Sequence, residues 1–308
     1  MYYVIIYITI LYYIYIRKNR GEKEQLMSII FAIICGIIQG AAEFLPVSSS
    51  GHLALFQNVF YDKEVPMTFD ILLHLGTLVA VFIVYWRDIF PLVPAFFTML
   101  GKVFRKKFKL TDYTTNERMV IMVLIGTVPL VIAAFLGDTV EFLSGYTLAI
   151  GIILIFNSVM LFVSDKLARG GVNNENVKPR NALTVGLCQV LAIMPGLSRS
   201  GTTITAGLTQ RFDREFAVKY SFILSIPAII GANITSIPDI MENPIPSSDV
   251  TAYIIGAVVA FVCGVAAMKL LILISRKANF RAFSYYTFVV GILAIILGVT
   301  GVKFPINL

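Results

Sequence analysis

Charge is scarce in this chain. Only 14% of its 308 residues are Asp, Glu, Lys or Arg, against about 25% in a soluble globular domain. With 57% of residues hydrophobic, the composition excludes an ordinary soluble fold. No long polar stretch is present either. The longest, Ser164 to Arg180, is loop-sized and leaves no room for a soluble domain. Cysteine is almost absent: Cys35, Cys188 and Cys263 are odd in number and sit inside apolar runs, which excludes a disulfide framework and makes them small core residues. Histidine is limited to His52 and His74. The net charge of +7 does not signal nucleic acid, because the basic residues fall in short loops between apolar runs, as membrane orientation requires.

Long apolar runs make this an all-α polytopic membrane protein. Six segments are long enough to cross a bilayer, at 71–90, 118–137, 143–163, 216–237, 251–274 and 284–304. Two other regions, 28–60 and 181–212, are shorter apolar runs interrupted by Pro, Gly and Ser. Such segments dip into the membrane and turn back, where irregular backbone is tolerated only inside protein or along a cavity. Basic residues cluster in three loops: Lys102 to Lys109, Lys166 to Arg180, and Arg276 to Arg281. The loop 238–249 carries Asp239, Glu242 and Asp249 without Lys or Arg, and 138–142 carries Asp138 and Glu141. Placing the basic loops in the cytoplasm makes 27–180 and 181–308 two halves of opposite orientation, each a re-entrant helix-turn-helix followed by three spans. Residues 1–16 form a seventh apolar run, followed by Arg17, Lys18, Arg20 and Lys23, whose charges contradict that orientation. The expectation for 1–26 is an extra N-terminal helix or a start codon called too early, with Met27 as the alternative start.

The two interrupted regions carry one motif at a fixed offset of 150 residues. Gly36, Gln39, Ala42, Ser48, Ser50 and Gly51 recur as Gly186, Gln189, Ala192, Ser198, Ser200 and Gly201. The copies differ where the chemistry lies. The first has Glu43, Ser49 and His52; the second has Ile193, Arg199 and Thr202. A shared scaffold with a carboxylate and a His on one side and an Arg on the other predicts one site built by both tips.

Gln39 and Glu43, at i and i+4, share a helix face, and an intramembrane carboxylate is a functional candidate by default. The bland alternative is a Glu paired with a backbone donor. Pro46 ends the helix, and Ser48-Ser49-Ser50-Gly51 forms a compact turn whose N–H groups suit an anion, although Ser also packs between membrane helices. His52 follows Ser49 by three residues, so Ser49 is a candidate nucleophile with His52 as proton acceptor, or the imidazole itself attacks. His74 reads as structural. Pro195-Gly-Leu-Ser198-Arg199-Ser200-Gly201-Thr202-Thr203 sets a fixed positive charge among hydroxyls and glycines, and guanidinium grips phosphate in a bidentate fork. The set describes a site for a phosphate group on a lipid. Glu43 is placed to hold a divalent cation, Arg199 to neutralise phosphoryl oxygens, and Ser49 or His52 to attack.

The segments Gln39-Gly-Ala-Ala-Glu43-Phe-Leu-Pro-Val-Ser-Ser-Ser-Gly-His52 and Pro195-Gly-Leu-Ser-Arg199-Ser-Gly-Thr-Thr203 resemble the two signature motifs of bacterial undecaprenyl-diphosphate phosphatase, the bacitracin-resistance family that recycles the lipid carrier of the cell wall. The resemblance spans about 27–308. It implies hydrolysis of undecaprenyl diphosphate to undecaprenyl phosphate and inorganic phosphate, in the cytoplasmic membrane with the site opening outward. It implies Mg2+ or Ca2+, with Glu43 as a metal ligand, and roles for Glu43, Ser49, His52, Ser198, Arg199 and Thr203. Gln39 stands where the family often has a second glutamate, so its part as a charged ligand is open. A polyprenyl diphosphate is the expected partner, and a homodimer is compatible with the sequence. The competing class is an inverted-repeat transporter or flippase of a polyprenyl phosphate, which needs a similar pocket but no Ser–His pair beside a carboxylate.

Overall fold

A computed structural model describes residues 27–61, 65–106, 109, 112–167, 169–238, 245–277 and 280–303. The apolar run at 1–16, the basic residues after it, and the acidic residues Asp239 and Glu242 lie outside the described residues. The described chain is built from helices: α1 Ile29–Phe44, α2 Ser49–Phe60, α3 Met67–Val84, α4 Trp86–Ile89, α5 Leu92–Phe104, α6 Thr115–Thr127, α7 Gly137–Ser144, α8 Thr147–Leu167, α9 Pro179–Leu191, α10 Arg199–Thr209, α11 Arg214–Thr235, α12 Val250–Lys277 and α13 Arg281–Thr300. Among the described residues, six helical stretches are long and apolar enough to cross a membrane: Met67–Val84, Thr115–Ala133, Thr147–Leu167, Arg214–Thr235, Val250–Ser275 and Arg281–Thr300. The protein is an all-α polytopic membrane protein.

Three boundaries depart from the sequence expectation. The span expected over 71–90 starts at Met67 and breaks at Tyr85, with α4 and then α5 following. Pro91 and Pro94 fall at the start of α5, where a missing N–H has no intrahelical partner to lose. The segment expected at 118–137 is helical to Thr127 and then tightens to a 3-10 helix, Val128–Phe135, with Pro129 in its first turn. The acidic stretch 138–142, expected as a loop, lies within α7.

Small residues bring the helices together, as in membrane proteins generally. A Cβ on Gly36 would lie 2.6 Å from the Gly256 carbonyl oxygen, and one on Gly40 would lie 2.5 Å from that of Ala260, so α1 lies directly against α12. Gly186, the repeat partner of Gly36, meets the backbone of Gly126 in the same manner, its Cβ position 2.3 Å from that carbonyl oxygen. The first helix of each hairpin is thus seated on a helix from the other half. Helices α8 and α13 are joined by a reciprocal pair: Ser158 Oγ donates to the Ser284 carbonyl and Ser284 Oγ to the Ser158 carbonyl, each at 2.8 Å. The largest core cluster includes Phe44, Met122, Phe212, Tyr220 and Phe222. The buried Tyr220 hydroxyl donates to the Met122 carbonyl at 2.7 Å, which removes the cost of a lone polar group there. Large apolar side chains such as Phe156, Val262, Leu273 and Val299 face outward, toward where lipid would lie.

Candidate active site

Both motif regions form helix-turn-helix hairpins capped the same way. Ser48 Oγ accepts from the Gly51 amide at 3.2 Å at the start of α2, and Ser198 Oγ accepts from the Gly201 amide at 3.1 Å at the start of α10. Each hydroxyl satisfies an amide that would otherwise lack a partner at a helix start. The turns are tight. Ser48 adopts φ 75°, and Gly196 adopts φ 99°, a region that favours glycine. The tips meet glycine on glycine: a Cβ on Gly51 would lie 2.7 Å from Gly196 Cα. Gly201 faces Pro46, with its Cβ position 3.2 Å from the proline Cβ.

At this junction four predicted residues converge. Arg199 pairs with Glu43 Oε1. Ser49 Oγ donates to Glu43 Oε2 at 2.6 Å, and Gln39 Nε2 donates to the same oxygen at 3.1 Å. Glu43 and Gln39 are buried, so the carboxylate is held by a charge partner and two neutral donors, as a buried charge requires. The guanidinium is not saturated. Its Nη1 is buried and, among the described residues, has no hydrogen-bond partner.

The other predicted residues divide. Ser48, Gly51, Ser198 and Gly201 shape the two turns, and Ser200 Oγ lies 3.1 Å from Ser198 Oγ. Ser50 is exposed and outside this network. Thr203 turns away, with its Oγ1 on the Arg199 carbonyl at 2.9 Å and 2.6 Å from Ser221 Oγ. Thr202 Oγ1 is buried and, among the described residues, has no hydrogen-bond partner. The expected Ser49–His52 contact is not formed. The Ser49 hydroxyl is turned to Glu43, while His52 Nδ1 lies 2.8 Å from the Ser48 carbonyl oxygen and Nε2 lies 3.0 Å from Tyr286 Oη. A separation of one helical turn brings side chains near each other but does not choose which acceptor wins, and a carboxylate outcompetes a neutral ring for a hydroxyl proton.

Two residues of the site went unread in the sequence. Asn157, fully buried on α8, donates from Nδ2 to the Pro46 carbonyl at 3.1 Å and accepts on Oδ1 from the Ser198 amide at 3.1 Å. It ties the two hairpin turns to each other, and its signal was a lone carboxamide within an apolar run. His74, read as structural, brings Nε2 to 3.9 Å from Glu43 Oε2, with Nδ1 2.8 Å from the Asp70 carbonyl oxygen. Its signal was Asp70-x-x-x-His74 within an otherwise apolar helix.

A hard divalent cation takes oxygen donors, and Mg2+ commonly takes one or two carboxylates plus substrate phosphates rather than a protein cage. Among the described residues no three His, Cys, Asp or Glu side chains cluster as a cage. The junction does present the Glu43 carboxylate, and Gln39 Oε1 is buried and, among the described residues, without a partner. With the Gln39 amide turned over, so that Oε1 takes the place from which Nε2 faces Glu43, one carboxylate and one amide oxygen would fit a cation that completes its shell from a substrate phosphate.

The family described as bacitracin resistance protein BacA matches residues 32–293. Relatives named undecaprenyl-diphosphatase include one from Methanobrevibacter smithii, 39% identical over 277 residues, covering 89% of this chain and 99% of the relative. Others are from Methanosphaera stadtmanae, 36% identical over 281 residues with 89% and 99% covered, and from Halothermothrix orenii, 37% identical over 272 residues with 88% and 98% covered. The match contains the second hairpin, all but the first three residues of the first, and the carboxylate–guanidinium junction between them, and this chain belongs to the bacitracin resistance protein BacA family.

Proposed function

We propose that this protein is an integral membrane phosphatase that hydrolyses undecaprenyl diphosphate to undecaprenyl phosphate and inorganic phosphate. The observation that carries the reading is the junction itself. Glu43 holds both the Ser49 hydroxyl of its own hairpin and the Arg199 guanidinium of the other, and among the described residues Arg199 has one buried nitrogen without a partner. A fork with an unused donor, next to a hydroxyl already bonded to a base, is a phosphoryl-transfer arrangement. Curated relatives that align over nearly their whole length carry the diphosphatase name. The flippase alternative gains nothing from these comparisons.

In this reading Arg199 receives the terminal phosphoryl group and offsets charge on its oxygens. Ser49 Oγ attacks phosphorus, its proton passes along the existing bond to Glu43 Oε2, and the anhydride bond to the lipid phosphate breaks. Glu43 passes that proton to the departing lipid phosphate and is a carboxylate again. Water then attacks the Ser49 phosphoester, its proton passing through Glu43 Oε2 to Ser49 Oγ as the P–Oγ bond breaks, and its hydroxyl completes inorganic phosphate. The backbone amides at the two capped turns add donors around the anion. Mg2+ or Ca2+, held by Glu43 and Gln39 Oε1, would supply charge neutralisation when bound. The two halves are read as inverted repeats with re-entrant tips, in the cytoplasmic membrane, with the site open to its outer side. The identical caps and the reciprocal seating of α1 and α9 support that symmetry.

The test is phosphate release from a long-chain polyprenyl diphosphate by purified protein, with and without chelator, and from substrate confined to the outside of sealed vesicles. Release that depends on Ser49, together with an acid-stable phosphoserine trapped there, is expected. No release, with lipid moved across the bilayer instead, overturns the enzyme reading. An acid-labile phosphohistidine would transfer the attack to His52.

A further inference from the structure

Tyr286 stands on α13, far in sequence from both motifs, yet it reaches the first turn of α2. Its ring lies parallel to that of His52, 8° between planes and 5.5 Å between centroids, and its hydroxyl is 3.0 Å from His52 Nε2. His52 Nδ1 faces the Ser48 carbonyl oxygen at 2.8 Å. A carbonyl oxygen only accepts, so Nδ1 carries the hydrogen. The neutral ring then has a bare Nε2, and the Tyr286 hydroxyl is its donor. We infer that Tyr286 is a positioning residue of the phosphatase site, locking His52 as the Nδ1–H tautomer with its ring plane set by the stack. The inference rests on the phosphatase reading above.

The anchor is itself held. Ser284, two residues before Tyr286, makes the reciprocal bonds to Ser158 that fasten α13 to α8. The last span therefore fixes a residue of the first hairpin, and both imidazole nitrogens are engaged. This explains why Ser49 turns to Glu43: the nitrogen that would have taken its proton is already capped by a phenol. His52 acts in the site as a neutral ring of fixed orientation, and the proton from Ser49 goes to Glu43.

The chain has two histidines, so selective 15N-histidine labelling of the full protein in nanodiscs yields two imidazole systems. The wild type should show His52 as the Nδ1–H tautomer. Tyr286→Phe, which keeps the stack and removes the hydroxyl, should shift His52 Nε2 and leave His74 unmoved. It should lower kcat by roughly fivefold to tenfold, the worth of one neutral hydrogen bond, with KM within about twofold. Tyr286→Leu, which also removes the stack, should lose more. In a His52→Gln background, Tyr286→Phe should cost nothing further. Unchanged His52 signals, an unchanged kcat, or an equal loss in both backgrounds would overturn the assignment. If the wild type releases no phosphate, the phosphatase reading fails, and the tautomer comparison still decides whether Tyr286 orients His52.

Discussion

Replacing Asn157 by Leu tests how the site is assembled. Leu has nearly the shape of Asn, so packing against α8 is kept and the hydrogen bonds are removed. Two buried backbone groups then lose their partners, the Pro46 carbonyl and the Ser198 amide. Leaving a buried donor or acceptor unpaired costs about 1–3 kcal/mol each, or about 2–6 kcal/mol for both. At roughly 2–4 °C per kcal/mol, the unfolding midpoint in detergent should fall by at least about 4 °C. Activity should fall further than stability accounts for. Ser198 caps α10 and immediately precedes Arg199, so a loosened Ser198 amide misaims the guanidinium, and a displacement near 1 Å costs on the order of 100-fold in rate. The assay is phosphate release at a temperature where circular dichroism shows the variant folded. Asn157→Asp, which keeps the acceptor for Ser198 but sets a carboxylate against the Pro46 carbonyl, should be destabilised as well. A midpoint lowered by less than about 2 °C together with wild-type turnover in Asn157→Leu would refute the clamp.

Arg199→Lys should retain insertion and folding but lose roughly tenfold or more in kcat, because a point charge cannot hold phosphate as a fork does; near-normal turnover would make Arg199 merely topological. Glu43→Gln preserves shape and removes the base, so phosphate release should drop roughly 100-fold or more, and a wild-type rate would remove Glu43 from proton transfer. Gly51→Ala places a methyl group 2.7 Å from Gly196 Cα. The tips must part, with an expected cost of about 1–3 kcal/mol; equal thermal stability and activity would show that the glycine contact is not required.

Much of the site was legible in the sequence because its parts are local. Gln39 and Glu43 sit one helical turn apart, Ser48 and Ser198 each lie three residues before the glycine amide they cap, and the 150-residue repeat pointed to a meeting of Glu43 with Arg199. The all-helical, membrane-spanning character followed from apolar run length alone, since a lipid-exposed backbone must satisfy its own hydrogen bonds. What local spacing could not supply was the choice among long-range partners. That Ser49 donates to Glu43 and not to His52, that Asn157 joins both turns, that His74 approaches the carboxylate and that Tyr286 stacks on His52 all depend on how α3, α8 and α13 pack around the hairpins. Helix periodicity states which face a residue occupies, and only the close seating of glycine and alanine backbones decides what that face meets.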